Sequence, residues 1–193
     1  SRVAIIDTGI DRDHPSFTGE GLAYGLAISA AKFGVQVSDY NLLTVEDVEA
    51  VLPRLHVAER LEGVTAQELY TNQKIPFGFD YLSKNIDYNC DATSGDHGCH
   101  VAGIAAANTY IPYTDADGDV YYAPQENGVT GVAPNAQVLV MKVFGKYGGA
   151  YDSDYMAAIE DAIVLGCDSV NLSLGSAAPG EPRNDTYAGL LNS

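Results

Sequence analysis

Val3-Ala4-Ile5-Ile6-Asp7-Thr8-Gly9 is a short apolar run that ends on a carboxylate and a turn. Four consecutive apolar residues without alternation mark a strand covered on both faces, as in a parallel sheet. Asp7 then stands at the carboxyl end of that strand, where open parallel sheets place their sites. Two further runs share this character, Gln137 to Phe144 and Asp168 to Leu174. Helical patterns lie between them. One starts near His97 and carries Val101, Ile104 and Ala105-Ala106-Ala107. Another runs from about Ser153 to Leu165, with Met156, Ile159 and Ile163 at helical spacing and Gly166 as its stop. The order predicts an α/β fold: a doubly wound, mostly parallel sheet with helices on both faces and right-handed crossovers.

Residues 18–76 interrupt this scheme and read as a helical insertion. Thr44 is a helix cap followed by Glu46 and Asp47 in the first turn, and Val48, Val51, Leu52 and Leu55 line one face. Pro53 kinks or ends that helix. Thr109 to Gly128, rich in Tyr, Asp, Pro and Gly, reads as a surface loop.

The 193 residues, 46% of them hydrophobic, suffice for one core. The formal net charge of −16 opposes binding to nucleic acid or to an anionic membrane surface. No run of about twenty apolar residues is present, so no transmembrane segment is predicted. The chain opens directly on a core strand, which we read as the start of a piece of a longer protein. Three cysteines, Cys90, Cys99 and Cys167, fit no zinc spacing and argue against a disulfide framework.

Asp96-His97-Gly98-Cys99-His100-Val101-Ala102-Gly103 holds the second chemical signal. A histidine in the first turn of a helix projects from a rigid element, and a carboxylate on one ring nitrogen fixes the tautomer that accepts a proton on the other. Taken singly, Asp7 is equally a capping aspartate and His97 a structural histidine. His97 and His100 invite a metal, but no third ligand stands at a usual spacing and His-Glu-x-x-His is absent. Asp115, Asp117 and Asp119 with Gly118 resemble a calcium loop, yet the glycine is misplaced and no glutamate closes it, so a solvated acidic turn is expected. Ser173-Leu174-Gly175 ends the third core run and Gly148-Gly149-Ala150 follows the second. Small residues there permit an extended peptide to pair between them, although each is also an ordinary turn.

These residues together resemble the subtilisin-like serine peptidases. Asp7-Thr8-Gly9-Ile10-Asp11-Arg12-Asp13-His14-Pro15 resembles the family's aspartate motif and His97-Gly98-Cys99-His100-Val101-Ala102-Gly103 its histidine motif. Gly131-Val132-Ala133-Pro134-Asn135-Ala136 resembles the turn before the next strand, which continues as Val140-Met141-Lys142-Val143. Asn171-Leu172-Ser173-Leu174-Gly175 resembles the substrate-binding strand. The long gap between the motifs, with Ile75-Pro76-Phe77-Gly78-Phe79-Asp80-Tyr81 near its end, is similar to Gram-positive cell-envelope peptidases of the lactocepin and C5a-peptidase type.

The resemblance implies that residues 1–193 are the N-terminal portion of a peptidase domain from a secreted or cell-wall-associated bacterial protein acting on polypeptides. Asp7 would orient His97, and His97 would serve as general base and then general acid. Ser173, Leu174 and Gly175 would wall the specificity pocket, Gly148, Gly149 and Ala150 would form the opposite pairing strand, and His100 would be structural. Cys99 replaces the family's usual threonine. Ser16 stands where many members place a calcium-binding aspartate, so no cofactor is expected here, with calcium left open for the longer protein. The family's oxyanion asparagine and Gly-Thr-Ser nucleophile motif do not occur within these residues. The expectation is therefore an inactive piece of a serine endopeptidase, with an unpaired sheet edge that favours self-association. A catalytically dead peptide-binding scaffold is the alternative. A nucleotide-binding domain is disfavoured, because Asp-Thr-Gly is not a glycine-rich phosphate turn.

Overall fold

The computed structural model describes residues 1–90, 94–126, 128–145 and 149–175. A four-stranded sheet forms its centre, built from β1 (Arg2–Asp7), β2 (Phe77–Asp80), β5 (Gln137–Lys142) and β6 (Ser169–Asn171). The spatial order is β2-β5-β1-β6 and all three pairings are parallel. The register sets Asp7 beside Lys142 at the carboxyl ends of β1 and β5.

Alternate residues of β1 serve two cores. Ile5 joins Val138 and Val140 against α5 (His97–Ala106), whose Ala102 and Ala106 face the sheet. Small side chains there let the helix lie close to the strands, and the contact brings its first turn down onto the end of β1. Ala4 and Ile6 join Leu139, Met141, Phe77 and Phe79 on the other face, against α6 (Asp152–Val164). Helices therefore cover both faces, as the apolar runs predict. Each fully buried aliphatic side chain contributes about 1.5–3 kcal/mol.

Residues 18–76 contain four helices: α1 (Gly19–Phe33), α2 (Val45–Val51), α3 (His56–Arg60) and α4 (Ala66–Leu69). α1 was not foreseen. Thr18 caps it by accepting from the Gly21 amide at 3.2 Å, and Gly34 closes it at φ +69°. The Thr44 cap is a reciprocal box, in which Asp47 accepts from the Thr44 amide at 2.9 Å. Pro53 ends α2 in a 3-10 turn over Leu52–Arg54. Arg60 then ties α3 to α6 through Asp154 at 2.7 Å.

Three elements differ from the sequence reading. Phe77–Asp80 is an outer strand too short to announce itself. Thr109 to Gly128 is not a plain loop but holds the hairpin of β3 (Tyr110–Thr114) and β4 (Val120–Pro124). Pro112 and Pro124 obscured it, because a two-stranded ribbon tolerates proline where a central strand does not. Tyr24 of α1 stacks on Tyr122 with ring centroids 4.7 Å apart and meets Tyr110 edge-on, which anchors the hairpin. Finally, the third run pairs only over Ser169–Asn171, and Val170 is exposed. It lies at the sheet edge among the described residues, so its outer face lacks the cover expected of it.

Candidate active site

β1 delivers Asp7 to the end of the sheet, where it is only 1% exposed. Its backbone carbonyl accepts from the Val143 amide at 2.9 Å, and its Oδ1 accepts from the Thr8 amide at 2.7 Å. α5 begins at His97, so the imidazole leaves a rigid first turn. Its Nδ1 lies 2.8 Å from Asp7 Oδ1 and 3.0 Å from Oδ2. A carboxylate only accepts, so Nδ1 carries the proton and the neutral ring presents Nε2 as a base on its opposite edge. The His97 side chain stays 55% exposed while its partner is buried. A desolvated carboxylate thus holds a histidine whose side chain stays open to solvent.

The turn between these residues is built for close approach. The Gly98 amide donates to Thr8 Oγ1 at 2.9 Å, so β1's turn caps a helix that lies far away in sequence. Asp96, at the N-cap position, makes no side-chain capping bond. Gly9 adopts φ +92°, and a methyl group on it would come within 2.2 Å of the Tyr88 carbonyl oxygen. Only glycine meets both demands.

Lys142 is the residue that sequence reading missed. It is 4% exposed, and its ammonium donates to the carbonyls of Thr8 and Asn89, each at 3.0 Å, and to Ser94 Oγ at 2.9 Å. It clamps the Asp7 turn to the segment leading into α5. Its place within the run Val140-Met141-Lys142-Val143 gave no sign of this, since the role arises from the parallel register with Asp7.

The segment after β6 emerges at the same end of the sheet. Asn171 pairs with Ile5, so Ser173, Leu174 and Gly175 leave β6 beside the turn that holds Asp7. Ser173 Oγ donates to Asn171 Oδ1 at 2.8 Å. Gly149 is exposed at φ +77° and Ala150 packs against the α6-side core. Gly148 lies outside the described residues, as do Ser176 and Ser193.

His100 is exposed and lines a cavity of about 310 Å³ together with Asp11, His14, Phe17, Cys99 and Ile104. Ser16 is buried in the 3-10 turn Pro15–Phe17, its amide donating to His14 Nδ1 at 3.2 Å. The aspartates of the β3–β4 turn satisfy one another's backbone: Asp115 accepts from the amides of Asp117 and Asp119. Among the described residues, no group of three or more His, Cys, Asp or Glu side chains is placed to hold a metal ion.

The chain matches the model of the subtilase family over residues 1–192. It belongs to that family. This subtilase is 32% identical to the PI-type proteinase of Lactococcus lactis subsp. cremoris over 164 residues, which are 83% of this chain and 8% of that protein. It is 32% identical to the subtilisin-like protease SBT2.5 of Arabidopsis thaliana over 191 residues, 98% of this chain and 20% of that one. It is 30% identical to the C5a peptidase of Streptococcus pyogenes over 181 residues, 91% of this chain and 12% of that one. The subtilase thus spans a fifth or less of the length of these relatives. Among its described residues, no helix is long and apolar enough to cross a membrane.

Proposed function

We propose that Asp7 and His97 are the acid–base half of a serine endopeptidase site. His97 Nε2 takes the proton of a serine hydroxyl as that oxygen attacks a peptide carbonyl. The imidazolium, steadied by Asp7, then protonates the leaving amine, and water later releases the acyl group by the same steps in reverse. The observation that carries this reading is the 2.8 Å Asp7–His97 contact at the carboxyl end of a parallel strand. Membership of the subtilase family supports it. Ser173, Leu174 and Gly175 on one side, and Gly148, Gly149 and Ala150 on the other, pair with the backbone of an extended polypeptide substrate.

The nucleophile is a serine outside residues 1–193, since Ser173, Ser176 and Ser193 lack the sequence context of the family's nucleophile, and the polypeptide of residues 1–193 has no peptidase turnover by itself. The protein acts outside the cell or at the cell wall of a bacterium, a placement supported by its likeness to the lactococcal proteinase and the streptococcal peptidase. The exposed edge of β6 favours association of the isolated chain, read by light scattering as a species larger than a monomer.

The test uses the protein as encoded in full. A fluorophosphonate that reacts only with activated serines should label one serine, and a fluorogenic peptide should be cleaved. His97→Ala should abolish labelling and lower kcat on the order of a million-fold. Labelling and cleavage that survive this substitution contradict the proposal. Peptide binding without labelling in the unaltered protein favours the inactive scaffold instead.

A further inference from the structure

Cys90 and Cys99 have no part in the proton transfer described above, yet the fold brings them together. Cys90 follows the short parallel bridge between Ile10 and Asn89, and its amide donates to the Ile10 carbonyl at 3.1 Å. Cys99 lies in the first turn of α5, two residues after His97. The two sulfur atoms are 2.7 Å apart. The Asp11 amide also points at Cys99 Sγ, at 2.9 Å. The backbone on both sides is therefore held by hydrogen bonds, and only a small side-chain adjustment separates contact from a covalent bond.

We propose that Cys90 and Cys99 form a disulfide that fastens the first turn of α5 to the segment paired with Ile10. Two thiols and one small disulfide, such as oxidised glutathione, are the reactants. A cysteine thiolate attacks that disulfide, forming a mixed disulfide and expelling one thiolate. The second cysteine, losing its proton, attacks the protein sulfur of the mixed disulfide and expels the other thiolate. The protein loses two hydrogen atoms and the oxidant leaves as two thiols. Both cysteines are partly exposed, and Cys99 lines the cavity beside α5, so a small reagent reaches the pair.

The odd cysteine is excluded by topology. Cys167 packs against the core that includes α6, whereas Cys99 packs against the core on the α5 face. The sheet lies between them. Burial, and then the contact with Cys90, raise the Cys99 thiol. The proposal stands independently of peptidase activity, since it concerns only these three thiols.

The test is peptide mapping of the folded chain after equilibration with oxidised and reduced glutathione. Free thiols are alkylated in denaturant, and the chain is cleaved before aspartate, without reductant. Asp91 and Asp96 lie between the two cysteines, so cleavage there puts them on separate peptides that stay joined only if bonded. The expected result is one linked pair, Cys90 with Cys99, and Cys167 alone alkylated. The same link should form in a Cys167→Ser variant and be absent from Cys90→Ser. Three alkylated cysteines, glutathione on both Cys90 and Cys99, or any link through Cys167 or between chains would overturn the proposal.

Discussion

Gly98 and Gly9 are in backbone contact: a methyl group on Gly98 would lie 2.2 Å from the Gly9 carbonyl oxygen. The start of α5 therefore rests directly on the turn that follows Asp7. Gly98→Ala must push helix and turn apart, and a shift of even a few tenths of an ångström lengthens the Asp7–His97 bond. We expect a loss of about 1–3 kcal/mol in urea unfolding. We also expect loss of the low-field proton resonance of His97 Nδ1, which the carboxylate deshields. A variant that keeps that resonance and its stability would contradict this packing.

Lys142 holds the same turn from the other side. In Lys142→Met the aliphatic stem remains while the carbonyls of Thr8 and Asn89 lose their donor. Unpaired buried carbonyls are costly, so unfolding in urea should show a loss of roughly 2–4 kcal/mol. A variant as stable as the wild type would show that the clamp is dispensable.

Lys74 gives the fold a pH dependence. It is fully buried, and its ammonium donates to the carbonyls of Pro134 and Ala136 at 2.8 and 2.6 Å. Burial lowers its pKa from 10.5 to about 7. Between those values the unfolded chain holds a proton that the folded chain has released, so this residue makes stability rise with pH across that window. Below about 7 both states are protonated and its contribution is flat. Urea midpoints at several pH values, compared between wild type and Lys74→Met, isolate the effect. The difference between the two should change from pH 7 to 10.5, with the wild type gaining as pH rises. Parallel curves would refute it.

Much of this arrangement was legible because it rests on local pattern. The runs at Val3–Ile6 and Val138–Met141 are apolar throughout because both faces of those strands are buried. The α5 and α6 helices announce themselves by spacing and by Gly166. The meeting of Asp7 and His97 was legible, since a carboxylate ends a core strand and a histidine opens a helix. What stayed hidden depends on contacts between distant segments. β2 is four residues long and contains Gly78, which makes room for the Tyr88 ring. The β3–β4 hairpin carries prolines and draws support from a tyrosine on α1. Lys142 reads as one polar residue in an apolar strand until the register places it beside Asp7. Cys90 and Cys99, nine residues apart, match no familiar spacing and meet only because the Ile10–Asn89 bridge brings one back to the other.

The central claim is that Asp7 serves His97 as a catalytic partner rather than as a structural cap. The most direct measurement is kcat and KM of the protein as encoded in full, with Asp7 replaced by Asn. The amide preserves shape and can still hydrogen-bond, but it favours the wrong imidazole tautomer and cannot stabilise the imidazolium. The account predicts a fall in kcat of about ten-thousand-fold at neutral pH, with KM little changed. An Asp7→Asn enzyme with wild-type kcat would contradict it.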